Sequence, residues 1–457
     1  RESMMFTESN TVEALVRDLL CGSQPTGPKA LSELPVPYIP AGLAHRGAGW
    51  HYVPAAALPR QPQDVFVEAF VREALIRLNP DIAAQPERAD EVIYKLRAIV
   101  LGVRSDGLVS ANEEFTAWLR GERFHCRALA GESEYNICIN CDLTVSCSCQ
   151  DYDGSGHIGD LNRNTFREVF FGPVAQRFRE QLAKGKLPIK TCTRCGDLER
   201  RPKSAPIPAP RLPYRGLMLE NTVRCNLDCI GCDRQSAARI RTTPQMDLNR
   251  LSRMADLVHE LGIQTLCYLN LGEPFLSPNI GPELEVLRRK NPDCNIWIST
   301  NGIVLNTDAR RAAALHASRI YFSIAGVNDE MLVKYERRGS FQKAYANMKA
   351  LVEYRNARGL SQPLLEWKYL LFNWNDHPRT IERAIELARA AGVDFISFWP
   401  THNPFYGWSY RYALGRLNHI GIGDWKGREL DLRPSSAPAT AGNSAAAEAP
   451  ALARETR

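Results

Sequence analysis

Apolar residues recur at helical spacing in three early stretches of the chain. Val67, Phe70, Val71, Ala74, Leu75 and Leu78 form one stripe over residues 65–78, and Val92, Ile93, Leu96, Ile99 and Val100 form another over 90–103. A third helix is expected over 112–119, and a short one over 12–20 inside a Pro-, Gly- and Ala-rich lead that runs to residue 62. The pattern then changes. Residues 136–149 alternate like a strand, Asp151-Tyr152-Asp153-Gly154 follows as a turn signal, and 164–183 reads as a helix. Residues 199–213 hold five prolines, which predicts a stiff linker and a domain boundary.

Beyond residue 214 the pattern becomes regular. Strand-like runs at 216–220, 264–270, 295–299, 319–324, 364–372 and 395–399 alternate with helical runs at 248–261, 282–290, 308–316, 341–358 and 378–391. Such an order implies a parallel sheet with helices outside it, and six strands are too few to close an eightfold barrel. The expected fold class is α/β, a partial (β/α)6 barrel preceded by a cysteine-rich α+β module and a small helical region. The expected division is 1–121 helical, 122–198 cysteine module, 199–213 linker, 214–432 barrel and 433–457 a disordered tail.

Composition narrows the classes. Hydrophobic residues make up 44% and charged residues 24%, enough to bury a large core. The net charge of +6 is spread along the chain, so nucleic acid is not an expected partner. No apolar run approaches a membrane span, and the first residues lack the apolar stretch of a secretory leader. Collagen-like, membrane-spanning and secreted disulfide-scaffold classes are excluded. An odd count of 13 cysteines then predicts reduced thiols and a cytoplasmic location.

Ten of those cysteines fall in two groups, at 126, 138, 141, 147, 149, 192 and 195 and at 225, 229 and 232. Cys225-Asn-Leu-Asp-Cys229-Ile-Gly-Cys232 follows the first barrel strand. Thiolates at this spacing can hold three irons of a cubane and leave the fourth open to a small molecule. The alternative is a structural zinc site, which needs a fourth ligand, and no Cys or His follows until His259.

This stretch resembles the radical SAM superfamily, and the resemblance covers about 216–400. Asn270-Leu-Gly272-Glu273-Pro274 ends the second strand like the family's segment for the amino group of S-adenosylmethionine. Ser299-Thr300-Asn301-Gly302 ends the third, like a segment near the ribose and carboxylate. Tyr321-Phe322-Ser323-Ile324-Ala325-Gly326 ends the fourth, where relatives often have Ser-Ile-Asp-Gly, and Arg337-Arg338-Gly339 follows. The resemblance implies iron ligands Cys225, Cys229 and Cys232. It also implies cofactor-binding residues Asn270, Gly272, Glu273, Pro274, Ser299, Thr300, Asn301, Ser323 and Arg338. The implied cofactors are a [4Fe–4S] cluster and S-adenosyl-L-methionine, with an electron donor such as flavodoxin or ferredoxin as partner. Two positions depart from the pattern: Gly231 stands where many members have an aromatic residue, and Ala325 where the Asp is usual.

The earlier cysteine group is similar to the SPASM/twitch module, which holds auxiliary iron–sulfur clusters. Cys126, Cys147, Cys149, Cys192 and Cys195 are its candidate ligands, with strand alternation expected to put Cys147 and Cys149 on one face. Cys138 and Cys141 are read as bystanders. A zinc ribbon is the alternative. In the family this module follows the barrel, whereas here it comes first. Residues 49–121 resemble the N-terminus of type I restriction enzyme restriction subunits, without a nuclease constellation downstream; generic amphipathic helices are the other reading. Cys267, Cys294, His259 and His316 read as structural, while Glu366, Lys368, Asn373, His402 and Tyr406 are placed to face a substrate.

The expected activity is reductive cleavage of S-adenosylmethionine followed by hydrogen abstraction from a peptide or protein. The same chemistry on a sugar or small metabolite is one alternative. A non-catalytic zinc-binding adaptor or DNA-associated protein is another.

Overall fold

The computed structural model describes residues 68–78, 80–101, 108–401, 403–422 and 429–433. The helix expected over 12–20, the restriction-like residues before 68, His402 and the tail from 434 lie outside them. The chain parts into two compact units between Val100 and Leu101. The first carries helix Glu68–Leu78 and all but the last residue of helix Arg88–Leu101, close to the expected stripes.

In the second unit, helix Leu108–Leu119 precedes twelve strands among the described residues. These are β1 (Glu122–Cys126), β2 (Cys138–Ile139), β3 (Thr144–Ser146), β4 (His157–Asp160), β5 (Leu198–Pro202), β6 (Gly216–Leu219), β7 (Thr265–Cys267), β8 (Asn295–Thr300), β9 (Arg319–Ser323), β10 (Leu364–Leu371), β11 (Phe395–Pro400) and β12 (Glu429–Asp431). Strands β6 to β11 pair in parallel and in chain order, the expected six-unit partial barrel. The sheet is open, and β12 adds antiparallel to β11.

Side-chain alternation divides the sheet into two faces. Leu217, Leu266, Ile296, Ile298, Ile320, Phe322, Trp367 and Phe398 join the main core beneath the outer helices. Met218, Cys267, Trp297, Ser299, Tyr321, Ser323, Lys368 and Trp399 take the opposite, lumenal parity. The connecting helices begin at side-chain caps: Asp247, Thr307 and Ser340 each accept a hydrogen bond from the main-chain N–H three residues on.

Three expectations are corrected. Residues 136–149 are not one strand but β2, a turn and β3, because Leu143 takes φ 70° and Asp142 accepts hydrogen bonds from the N–H and hydroxyl of Thr144. The helix over 164–183 is two, Phe166–Phe170 and Pro173–Ala183, broken at Gly172-Pro173. The cysteine module is not set apart by a linker. Leu198–Pro202 is a strand paired with β1, and β2 joins β6 in parallel, Cys138 opposite Met218, so the barrel sheet continues into β2–β3–β4.

Candidate functional site

The loop Cys225–Cys232 follows β6 and is held by main-chain bonds from other strand ends. Glu273 N–H donates to Arg224 O at 2.8 Å, Asp228 N–H to Arg337 O at 3.1 Å, and Ile230 N–H to Tyr335 O at 2.9 Å. Two side chains complete the grip: Asn301 Nδ2 donates to Asn226 Oδ1 at 2.9 Å, and Asn403 Nδ2 to Gly231 O at 2.6 Å. Segments after β7, β8, β9 and β11 thus converge on one loop. The three thiols are half-buried and feel one another electrostatically; burial pushes Cys225 up to about 11 and raises Cys229 and Cys232 as well. Thiols so placed stay protonated until a bound cation takes the sulfur and releases the proton to solvent, which is the chemistry a thiolate-ligated cluster requires.

The strand-end segments divide by role. Gly272 is where the β7 segment touches the loop: a Cβ there would lie 1.9 Å from Thr222 O and 3.0 Å from Arg224 O, so only glycine permits the approach. Asn270 Nδ2 donates to Cys138 Sγ at 3.4 Å. Ser299 and Ser323 share a hydroxyl–hydroxyl bond of 3.1 Å in the lumen. Glu273, Pro274 and Thr300 are buried. The Glu273 carboxyl accepts from Thr300 Oγ1 and Asn301 N–H, both at 2.8 Å, and from Phe275 N–H at 3.2 Å. Burial pushes it up to about 7. Arg338 is exposed and sits at φ 66°.

Both departures from the family pattern have a structural reason. Gly231 takes φ +87°, and a Cβ there would meet Asn403 Oδ1 at 2.7 Å, so a larger residue is strained and displaces Asn403. Beside Ala325 a carboxyl arrives from another segment: Glu336 Oε1 accepts the Ala325 N–H at 2.8 Å. Glu336 is buried and acts on Cys229. Sequence reasoning missed Glu336, Asn226 and Asn403; only Asn226, inside the cysteine motif, carried a local signal.

Cys126, Cys147, Cys192 and Cys195 line one cavity with Leu129 and Phe178. Burial raises all four thiols, Cys192 to about 11 and Cys195 to about 12. Asn136 Nδ2 points to Cys195 Sγ at 3.8 Å while it donates to Asp197 at 2.9 Å. Cys149 is not in this group. Strand β3 stops at Ser146, the alternation ends, and Cys149 packs against Tyr135, Cys138, Met218 and Cys267. Its N–H goes to Asn136 Oδ1 at 3.2 Å. Among the described residues no three His, Cys, Asp or Glu side chains converge to the spacing that holds a single metal ion.

In the lumen Trp297 meets Tyr321 edge-on, and the Lys368 ammonium sits 4.3 Å from the Trp399 ring centroid. Glu366 is buried against Arg319 and Ser397. Asn373 Nδ2 donates to Tyr406 O at 2.7 Å, and the Tyr406 ring is exposed. Cys267 and Cys294 are buried, as expected.

Residues 219–360 match the family described as the Radical SAM superfamily. A GTP 3',8-cyclase of Desulforamulus reducens is 24% identical over 140 residues, 30% of this chain and 42% of that protein. A GTP 3',8-cyclase of Peptoclostridium acidaminophilum is 27% identical over 194 residues, 42% of this chain and 58% of that one. This chain therefore spans about two fifths to three fifths of the length of the curated relatives it matches. Among solved structures, Streptococcus suis SuiB bound to S-adenosylmethionine shares 12% identity at a TM-score of 0.33, over 49% of this chain and 52% of that one. The radical S-adenosylmethionine methyltransferase TsrM of Kitasatospora setae shares 15% at a TM-score of 0.35, over 47% and 42%. No helix among the described residues is long and apolar enough to cross a membrane. Over residues 219–360 this chain is thus similar to the radical SAM superfamily, whose cofactors are a [4Fe–4S] cluster and S-adenosyl-L-methionine.

Proposed function

We propose that the chain is a radical SAM enzyme that abstracts hydrogen from a peptide or protein substrate, with a maturase-like oxidation or rearrangement as outcome. The observation that carries the chemistry is a three-thiol loop gripped from four strand ends, with no fourth protein thiol in its motif. When bound there, the cluster and S-adenosylmethionine supply a 5′-deoxyadenosyl radical by one-electron cleavage. Cys225, Cys229 and Cys232 would hold the cluster. Gly272 brings the β7 segment against the loop, Glu273 ties that segment to the end of β8, and Asn301 steadies Asn226 between two of the thiols. Ser299 and Ser323 offer hydroxyls at the lumen, while Trp297, Tyr321 and Trp399 form walls that limit water.

We assign an auxiliary iron–sulfur cluster to Cys126, Cys147, Cys192 and Cys195. Four thiols around a cavity, rather than around a point, favour a polynuclear cluster over one zinc ion. The substrate reading rests on the aromatic wall of the lumen, Trp297, Tyr321 and Trp399, which suits the side chains of a polypeptide. The names of the relatives point instead to GTP, and the test below separates the two.

Anaerobic reconstitution tests the reading. Expected are brown protein with iron at both sites and reductant-dependent 5′-deoxyadenosine that Cys229→Ala abolishes. GTP is expected to leave that rate unchanged. Colourless protein holding only zinc refutes the enzyme reading, and stimulation by GTP refutes the peptide reading.

A further inference from the structure

A half-buried guanidinium beside the auxiliary cavity lacks a counter-ion. Arg179 lies on helix Pro173–Ala183, next in the chain to Phe178, which lines the cavity with Leu129 and Cys126. Its Nε donates to Leu129 O at 2.9 Å and its Nη2 to Phe170 O at 2.8 Å. The guanidinium carbon sits 4.9 Å from the centroid of the buried Phe170 ring. These contacts fix the group in place but offer it only partial charges. Nη1 is buried without a hydrogen-bond partner, and among the described residues Arg179 has no ion pair. Other charges nearby in the chain are matched: Arg127 lies 3.9 Å from both Asp197 and Glu199, and Glu180 accepts from Gln176. A buried cation is costly unless an anion is set beside it. Burial lowers Arg179 from its usual value, and Cys126 is the ionisable group that opposes this. The link is also geometric. Leu129, whose carbonyl Arg179 holds, donates its N–H to Cys126 Sγ at 3.5 Å. As a thiol Cys126 brings no charge; as one of four thiolates around a cluster it does.

We propose that Arg179 is the built-in counter-charge of the cluster assigned to Cys126, Cys147, Cys192 and Cys195, and sets how readily that cluster takes up an electron. Four thiolates make an iron–sulfur cluster anionic. Uptake of one electron adds a further negative charge, with no bond made or broken and no proton required. A fixed cation beside the ligands therefore stabilises the reduced form more than the oxidised one, and raises the potential. The apolar wall of Leu129, Phe170 and Phe178 keeps water from screening the pair. Arg179 acts through Cys126 and is a positioning residue, not a ligand. The proposal rests on the auxiliary-cluster reading of the four cysteines.

The test is a potentiometric titration of the anaerobically reconstituted full chain with dithionite, followed by electron paramagnetic resonance. The signal that added S-adenosylmethionine leaves unmoved reports the auxiliary cluster, and the signal it moves is the internal control. Arg179→Gln is expected to cut the reduced-to-oxidised ratio of the auxiliary cluster about tenfold at a given potential, a midpoint about 59 mV lower for one electron. Arg179→Lys keeps the charge and is expected to stay within about threefold of the wild-type ratio. The control signal is expected to hold in both variants. A wild-type auxiliary midpoint in Arg179→Gln, or equal shifts in the two variants, overturns the proposal. Should Arg179→Gln load no second cluster, Arg179→Lys decides: wild-type iron and midpoint are expected, and loss of either overturns it. Wild-type protein without a cluster indifferent to S-adenosylmethionine overturns the auxiliary-site reading, and the proposal with it, before any variant is compared.

Discussion

Replacing Gly272 with alanine tests how the barrel holds its cysteine loop. The added Cβ would lie 1.9 Å from Thr222 O, whereas real Cβ contacts essentially never fall under 3.0 Å, so the two backbones must part by about an ångström. That movement breaks the Glu273 N–H bond to Arg224 O, now 2.8 Å, immediately before Cys225. Overpacking of this kind costs about 1–3 kcal/mol, and the lost hydrogen bond adds about 1 kcal/mol. The expected destabilisation is therefore about 2–4 kcal/mol, read by denaturant unfolding. The core lies on the other face of the sheet and stays packed, so far-UV circular dichroism is expected to be retained while iron at the loop is lost. Gly281, where a Cβ would meet nothing within 4 Å, is the control. Gly281→Ala is expected to be neutral or slightly stabilising. Wild-type stability and iron content in Gly272→Ala would refute the account of this contact.

Other outcomes are expected from the same structure. Cys147→Ala is expected to remove the iron of the auxiliary site, and Cys149→Ala to leave total iron unchanged; equal loss in both returns Cys149 to the ligand set. Because burial raises the Glu273 carboxyl from 4.5 to about 7, the folded state binds its proton more tightly than the unfolded state. Stability of the cluster-free protein is then expected to fall as pH rises from about 4.5 through 7, by up to ~3 kcal/mol. Glu273→Gln is expected to flatten that slope, and an unchanged slope places the titration elsewhere. Arg355 is buried and donates to Asp394 Oδ2 at 2.5 Å and to Pro363 O at 2.9 Å. Arg355→Ala is expected to cost about 3–5 kcal/mol by leaving a buried carboxylate uncompensated, which equilibrium unfolding measures.

The barrel was legible because each strand is covered on one face by helices and lines a lumen on the other, so its hydrophobic runs stand out against amphipathic helices. The cysteine module was less so. Its alternation runs through a turn made by Asp142 and Leu143, and a leucine at φ 70° gives no sign in the sequence. The break at Gly172-Pro173 was written in the sequence; a Cβ at Gly172 would lie 2.5 Å from Glu168 O. Motif likeness located Glu273 and Thr300, but their burial against each other follows from how two strand ends meet. The placement of Cys149 is likewise tertiary. The first strand of the barrel receives β2 at its edge, and Cys149 packs against Cys138 of β2 and Met218 of β6 rather than lining the cavity of Cys147.

The central claim is that three thiolates hold a cubane with one iron left for S-adenosylmethionine. Mössbauer spectroscopy of protein reconstituted with enriched iron under strictly anaerobic conditions tests it most directly. Addition of S-adenosylmethionine is expected to shift one iron site away from the others in wild-type protein and to have no effect in Cys229→Ala. A spectrum indifferent to S-adenosylmethionine in the wild type, or a loop that takes up no iron at all, would contradict the account.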